Sequence, residues 1–109
     1  MSIMSSRNLT MMTDLYQLTM MYGYFKKGMA GNKAVFDLFF RDTKANSSYA
    51  VMAGTESIVE YINDLHFSEN DVAYLRSLNL FDESFLSVLR ELHFTGEIYA
   101  MEELSLIHI

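Results

Sequence analysis

The 109 residues contain no cysteine and no proline. Without thiols there is no disulfide, no thiolate metal site and no thiol nucleophile. Glycine is scarce as well: the five are scattered at positions 23, 28, 31, 54 and 96. None of them builds a glycine-rich phosphate loop behind a strand. Positive charge is short, with 8 basic against 14 acidic residues and a formal charge of −6. That balance argues against nucleic acid, whose phosphates call for a basic patch. Long apolar runs are missing too. The longest are strand-sized, against roughly 20 residues needed to span a bilayer. The opening "MSIMSSRNLT" has no sustained apolar region and does not read as a secretory signal. A soluble cytoplasmic protein, with no membrane and no nucleic-acid partner, is the default expectation.

What is present suffices for one modest domain, since half the residues are hydrophobic. Nine methionines read as flexible core filler. Between Met12 and Gly28 the spacing predicts a helix. Leu15, Leu18, Tyr22, Phe25 and Met29 recur at 3, 4, 3 and 4 residues, a single apolar stripe. Thr13 is the expected N-cap, with Asp14 in the first turn, Lys26 and Lys27 in the last, and Gly28 as the stop. "KAVFDLFFRD" (33–42) and "YAVMAG" (49–54) are expected as strands, paired in an antiparallel hairpin around Asn46-Ser47-Ser48. Three short helices should follow. The first places Ile58, Ile62 and Leu65 on one side. The second is capped by Ser68 with Asp71 in capping-box spacing. The third is capped by Asp82 and buries Phe85, Leu86, Leu89 and Leu92. "TGEIYAM" (95–101) is expected as a last strand. The fold class is therefore α+β. Leu104 to Ile109, "LSLIHI", is the direct translation of CTG TCT CTT ATA CAC ATC, which matches a transposon end used in preparing sequencing libraries. These six residues are expected to be adapter read-through, and the chain the start of a longer protein.

Site chemistry is sparse in the residues themselves. His66, His93 and His108 lie far apart and lack metal-ligand spacing. Ser5, Ser6, Ser47 and Ser48 have no nucleophile-elbow context. Glu56 and Glu60 stand one helical turn apart, where a solvated helix face is the plainer reading than a metal pair. The tyrosines at 16, 22 and 24 raise a sharper question. Tyr22 belongs to the apolar stripe and should pack the core, and Tyr24 is undecided. Tyr16 falls off the stripe, on the adjacent face with Met20 and Gly23.

The blocks "TDLYQLTM", "FDLFFR", "YAVMAG", "YLRSLNLFDESFLSVLRE" and "FTGEIYAMEE", in that order and spacing, resemble the N-terminal part of nicotinate phosphoribosyltransferase. The likeness runs from Leu9 to Glu103. It implies residues 1–8 as a flexible N-terminus, 9–103 as an incomplete N-terminal domain, and 104–109 outside it. That domain would be the mixed helix and antiparallel-strand part of a type II phosphoribosyltransferase, whose α/β barrel is missing here. The resemblance implies an enzyme that joins nicotinate to phosphoribosyl pyrophosphate, giving nicotinate mononucleotide in NAD salvage. It further implies ATP hydrolysis with Mg2+ as cofactor and a homodimer sharing its active sites. These residues alone would be inactive and, with barrel-facing surfaces bare, poorly soluble.

Residue by residue, the resemblance makes Tyr16 the ring that stacks on the pyridine of a neighbouring subunit. It makes Asp14 a second substrate-binding candidate beside its helix-end role. Arg41 is a third, for a phosphate or carboxylate, where a salt bridge to Asp42 or Glu56 is the plainer reading. No catalytic residue and no metal ligand is assigned. The sequence departs from the family at "DTKANSS", where a Pro-Phe-Gly-type turn is commoner, and at Thr55 in place of leucine. Two other readings stand beside this one: a free-standing α+β binding or regulatory domain, and a relative that uses nicotinamide.

Overall fold

The computed structural model describes residues 7–41 and 48–108. Its elements run α1 (Leu15–Lys26), β1 (Tyr49–Val51), α2 (Thr55–Asn63), α3 (Glu69–Ser77), α4 (Glu83–Arg90) and β2 (Leu106–His108). The four helices and the antiparallel strand pair make an α+β domain.

Local chemistry places the helix ends. Ser68 and Asp71 form a reciprocal capping box at the start of α3. The Ser68 N–H donates to Asp71 Oδ2 at 2.8 Å, and the Asp71 N–H to Ser68 Oγ at 3.2 Å. Asp82 caps α4 by accepting the Phe85 N–H at 2.9 Å. α1 begins one residue later than expected: Asp14, not Thr13, occupies the N-cap, and its side chain makes no capping hydrogen bond. At the other end Gly28 turns left-handed, with φ +71°. The Met29 N–H reaches back to the Tyr24 carbonyl at 2.8 Å and the Gly28 N–H to Phe25 at 3.1 Å. These two bonds are the Schellman pattern, and only glycine enters that backbone region without steric cost.

The core lies where α1, α3 and α4 meet. Leu18, Phe67, Val72, Leu75, Phe85, Leu86 and Leu89 are buried, with Met11, Met21, Tyr22, Phe25, Leu78, Phe81 and Leu92 packed around them. On α4 the expected face is buried at Phe85, Leu86 and Leu89, while Leu92 packs beside the core past the end of the helix. Tyr22 is a core ring, 5.1 Å from Phe85 and 5.6 Å, edge-on, from Phe81. Two parts of the stripes stay outside. Leu15 and Met29 at the ends of α1 are exposed, and α2 buries no residue of its own, Ile58 included.

The strands depart most from expectation. Lys33 to Arg41 is extended but forms no strand, so the predicted hairpin with Tyr49–Val51 is absent among the described residues. Residues 42–47, which hold most of its predicted turn, lie outside the described residues, as do residues 1–6 of the predicted flexible terminus and Ile109. β1 instead pairs antiparallel with β2, in the register Tyr49↔His108, Ala50↔Ile107, Val51↔Leu106. Leu106–His108, expected outside the domain, form its second strand in this structure. An open strand edge accepts any extended segment within reach, because ladder hydrogen bonds involve only the backbone. Residues 95–101 form no strand either. The near-continuous apolar run at 33–41 needs cover on both faces, which the described residues do not supply, and the predicted strand at 95–101 is left bare as well. Leu38 is 94% exposed and Tyr99 91%.

Among the described residues no helix is long and apolar enough to cross a membrane.

Candidate functional site

The start of α1 carries the two residues of interest. Asp14 sits at the N-cap in an extended conformation, and its backbone carbonyl accepts the Gln17 N–H at 3.0 Å. Its carboxylate is not consumed in capping, so it remains available to another partner. Two residues on, Tyr16 stands in the first turn on the face turned away from Leu18, with 58% of its surface exposed. Its backbone carbonyl accepts from Thr19 Oγ at 3.0 Å, and its hydroxyl from Gln17 Nε2 at 3.2 Å. An open depression beside it is lined by Met12, Thr13, Asp14 and Gln17. This arrangement can offer a flat aromatic face, a carboxylate and an amide to a ligand arriving from outside the chain.

Arg41 stands apart from that group. It ends the extended run, with Cζ 5.9 Å from the centroid of the Phe39 ring, a cation–π distance. Among the described residues no ion pair joins it to Glu56, and Asp42 lies outside them. Asp14 and Tyr16 thus stand two residues apart at the start of α1, and Arg41's contact among the described residues is with Phe39. Among the described residues no three His, Asp or Glu side chains stand close enough together to hold a metal ion.

The far end of α1 is held by a polar hub. Asp82 accepts from the Tyr22 hydroxyl at 3.2 Å and from Ser84 Oγ at 2.7 Å, and forms an ion pair with Lys26. Lys26 also lies over the Tyr22 ring, 5.5 Å from its centroid. The Lys26 ammonium, the Phe85 N–H and the Ser84 hydroxyl hold the Asp82 carboxyl far below the usual carboxylate range. The same ion pair raises Lys26. Sequence reasoning assigned Asp82 its cap but not this second role, because the Lys26 contact crosses more than fifty residues.

Glu103 was missed altogether. Its Oε1 accepts the Gly54 N–H at 2.7 Å and its Oε2 the Thr55 N–H at 3.0 Å. Those two amides at the start of α2 lower its pKa. The only sequence signal was the partnerless N-cap glycine, Gly54, which has no side chain to do this work and whose φ is +100°.

Residues 11–108 match the family described as the nicotinate phosphoribosyltransferase (NAPRTase) N-terminal domain. The chain is 41% identical over 91 residues to the nicotinate phosphoribosyltransferase pncB2 of Mycobacterium tuberculosis, covering 84% of this chain and 19% of that protein. It is 40% identical over 100 residues to the nicotinate phosphoribosyltransferase of Bacillus subtilis, covering 92% of this chain and 20% of the relative. With nicotinate phosphoribosyltransferase 1 of Arabidopsis thaliana the identity is 33% over 99 residues, 89% of this chain and 18% of the other. The chain thus spans about a fifth of the length of the curated relatives it matches.

Proposed function

The chain belongs to the nicotinate phosphoribosyltransferase family, as its N-terminal domain, and we propose on that footing that the complete protein makes nicotinate mononucleotide. It joins nicotinate to the ribose of phosphoribosyl pyrophosphate and releases pyrophosphate, in cytoplasmic NAD salvage. The observation that carries the site reading is the exposed ring of Tyr16 beside the free carboxylate of Asp14, at the end of a helix whose next tyrosine, Tyr22, is locked in the core. A flat aromatic acid is well held by such a ring. Offset stacking contributes about 0.5–1.5 kcal/mol beyond area burial.

In this reading α1 delivers Tyr16 to the site of a second copy in a homodimer, which accounts for a ring that points away from its own core. Asp14 stands next to it and limits how the ligand can approach. Arg41, distant from both in the contacts it makes, is the weaker candidate and would serve a phosphate or carboxylate only with further residues around it. Coupling to ATP and Mg2+ belongs to the reading for the complete enzyme, on residues other than those described here. The 109 residues alone are proposed to be inactive.

The direct test is an assay of the full-length protein with nicotinate or nicotinamide, phosphoribosyl pyrophosphate and Mg-ATP. Formation of nicotinate mononucleotide with pyrophosphate release supports the reading. Turnover of nicotinamide alone moves the protein to the relative that uses the amide, and turnover of neither overturns the enzyme reading. We also propose that Leu104–Ile109 are foreign to the family sequence, which leaves the domain still incomplete at Glu103. Sequencing the source DNA across its codon tests this: an open frame running directly on from Glu103 supports it, and a genomic "LSLIHI" contradicts it.

A further inference from the structure

Thr10 is a polar residue only 5% exposed beside an apolar core. Its hydroxyl oxygen accepts the backbone N–H of His66, in the turn between α2 and α3, at 3.2 Å. Two residues earlier, Asn8 Nδ2 donates to the His66 carbonyl at 3.1 Å and lies 3.3 Å from His66 Nε2. Asn8 Oδ1 accepts the Thr10 N–H at 3.1 Å, which fixes the orientation of the amide. The ring of His66 is fixed in turn. Its Nδ1 faces the Asp64 carbonyl at 2.6 Å, the place of a donor, and in the neutral ring that tautomer turns a bare Nε2 toward Asn8. Asn8, Thr10 and His66 therefore form a clasp, with Asn8 Nδ2 also 3.5 Å from Asp71 Oδ2.

The clasp matters for α1 because that helix has no side-chain cap of its own, unlike α3 and α4. The strap from Asn8 to Met12 folds back through a bond from the Met12 N–H to the Leu9 carbonyl at 2.9 Å. Its Met11 packs on the core. Only three residues separate Thr10 from Asp14, so a tied strap limits how far the start of α1 can shift. The far end is held separately through Asp82, and the middle through Leu18.

We propose that Asn8 and Thr10 are positioning residues for Tyr16: by tying the strap to the His66 turn they fix where the first turn of α1 presents its ring. This rests on the reading of Tyr16 as the substrate ring. Stacking acts on bound substrate and transition state alike, so loosening it raises KM for nicotinate and leaves kcat unchanged.

The test uses the full-length protein with Asn8→Ala, Thr10→Val and Thr10→Ser. It reads backbone amide exchange over residues 13–19 beside the kinetics. Asn8→Ala and Thr10→Val should each speed that exchange about tenfold and raise the nicotinate KM several-fold. KM for phosphoribosyl pyrophosphate and kcat should hold, and Thr10→Ser, which keeps the acceptor, should behave as wild type. Unchanged exchange in Asn8→Ala and Thr10→Val overturns the clasp whatever the activity. Faster exchange with an unmoved nicotinate KM overturns its link to the ring. If Tyr16→Ala leaves the nicotinate KM unmoved, the site reading fails instead, and the link to a substrate ring falls with it.

Discussion

Tyr16 and Tyr22 are one residue type on one helix with opposite fates. Tyr22 lies on the i, i+3, i+4 stripe that meets Phe81 and Phe85, and its hydroxyl finds Asp82. Tyr16 falls two residues before that stripe first enters the core at Leu18, so 58% of its surface stays exposed among the described residues. At the same scale Leu89 is fully buried between α3 and α4. Leu89→Ala should cost about 2–5 kcal/mol, read as a lowered denaturant midpoint with an unchanged m value. Asp82 gives a prediction in pH. Its folded pKa is depressed from the ordinary 3.8. Its stabilising contribution is therefore complete above that value and lost as pH falls below it toward the folded value. Asp82→Asn should flatten the fall in melting temperature below about pH 4. An equally steep acid limb in the variant would mean that other carboxylates govern it.

Among the elements, helices were legible in the sequence and strands were not, for a physical reason. A helix and its caps are settled within a few residues. Ser68 with Asp71, Asp82 with Phe85, and Gly28 after Lys27 all found their roles as their spacing suggested. The slip of Thr13 for Asp14 at the N-cap is one residue wide, and the predicted stripes fail at Leu15, Met29 and α2. A strand is defined by its partner, and the partner of Tyr49–Val51 lies more than fifty residues away at Leu106–His108. "KAVFDLFFRD" has every strand propensity yet remains unpaired in the part described, because propensity supplies no second edge. The same limit hid the Glu103 cap on α2 and the clasp of Asn8 and Thr10 on His66. Each joins residues far apart in sequence, and no local pattern announces it. Of the candidate site, Tyr16 and its exposure were legible from periodicity alone. Its significance came from the family resemblance.

Over the whole molecule, the apolar surface exceeds what the described core can cover. Val35, Phe36, Leu38 and Phe39 form a run of exposed side chains, and Tyr99 and Leu104 add to it elsewhere. Such a stretch, rich in β-propensity and free of proline, is prone to self-association. The 109-residue chain should elute from a sizing column as oligomers or aggregate at micromolar concentration. The double variant Phe36→Lys/Leu38→Lys should shift it toward monomer with little change in melting temperature, since neither side chain touches the core. A clean monomer from the unmodified chain would contradict this. The relatives, about five times longer, have the additional chain with which such a surface could be covered.

The central claim is that Tyr16 holds the pyridine ring, and the steady-state KM for nicotinate of Tyr16→Ala and Tyr16→Phe in the full-length enzyme tests it most directly. The account predicts that Tyr16→Ala raises KM between about twofold and tenfold, the equivalent of one lost stacking contact. Tyr16→Phe, which keeps the ring, should stay close to wild type. Equal KM values for wild type and Tyr16→Ala would contradict it.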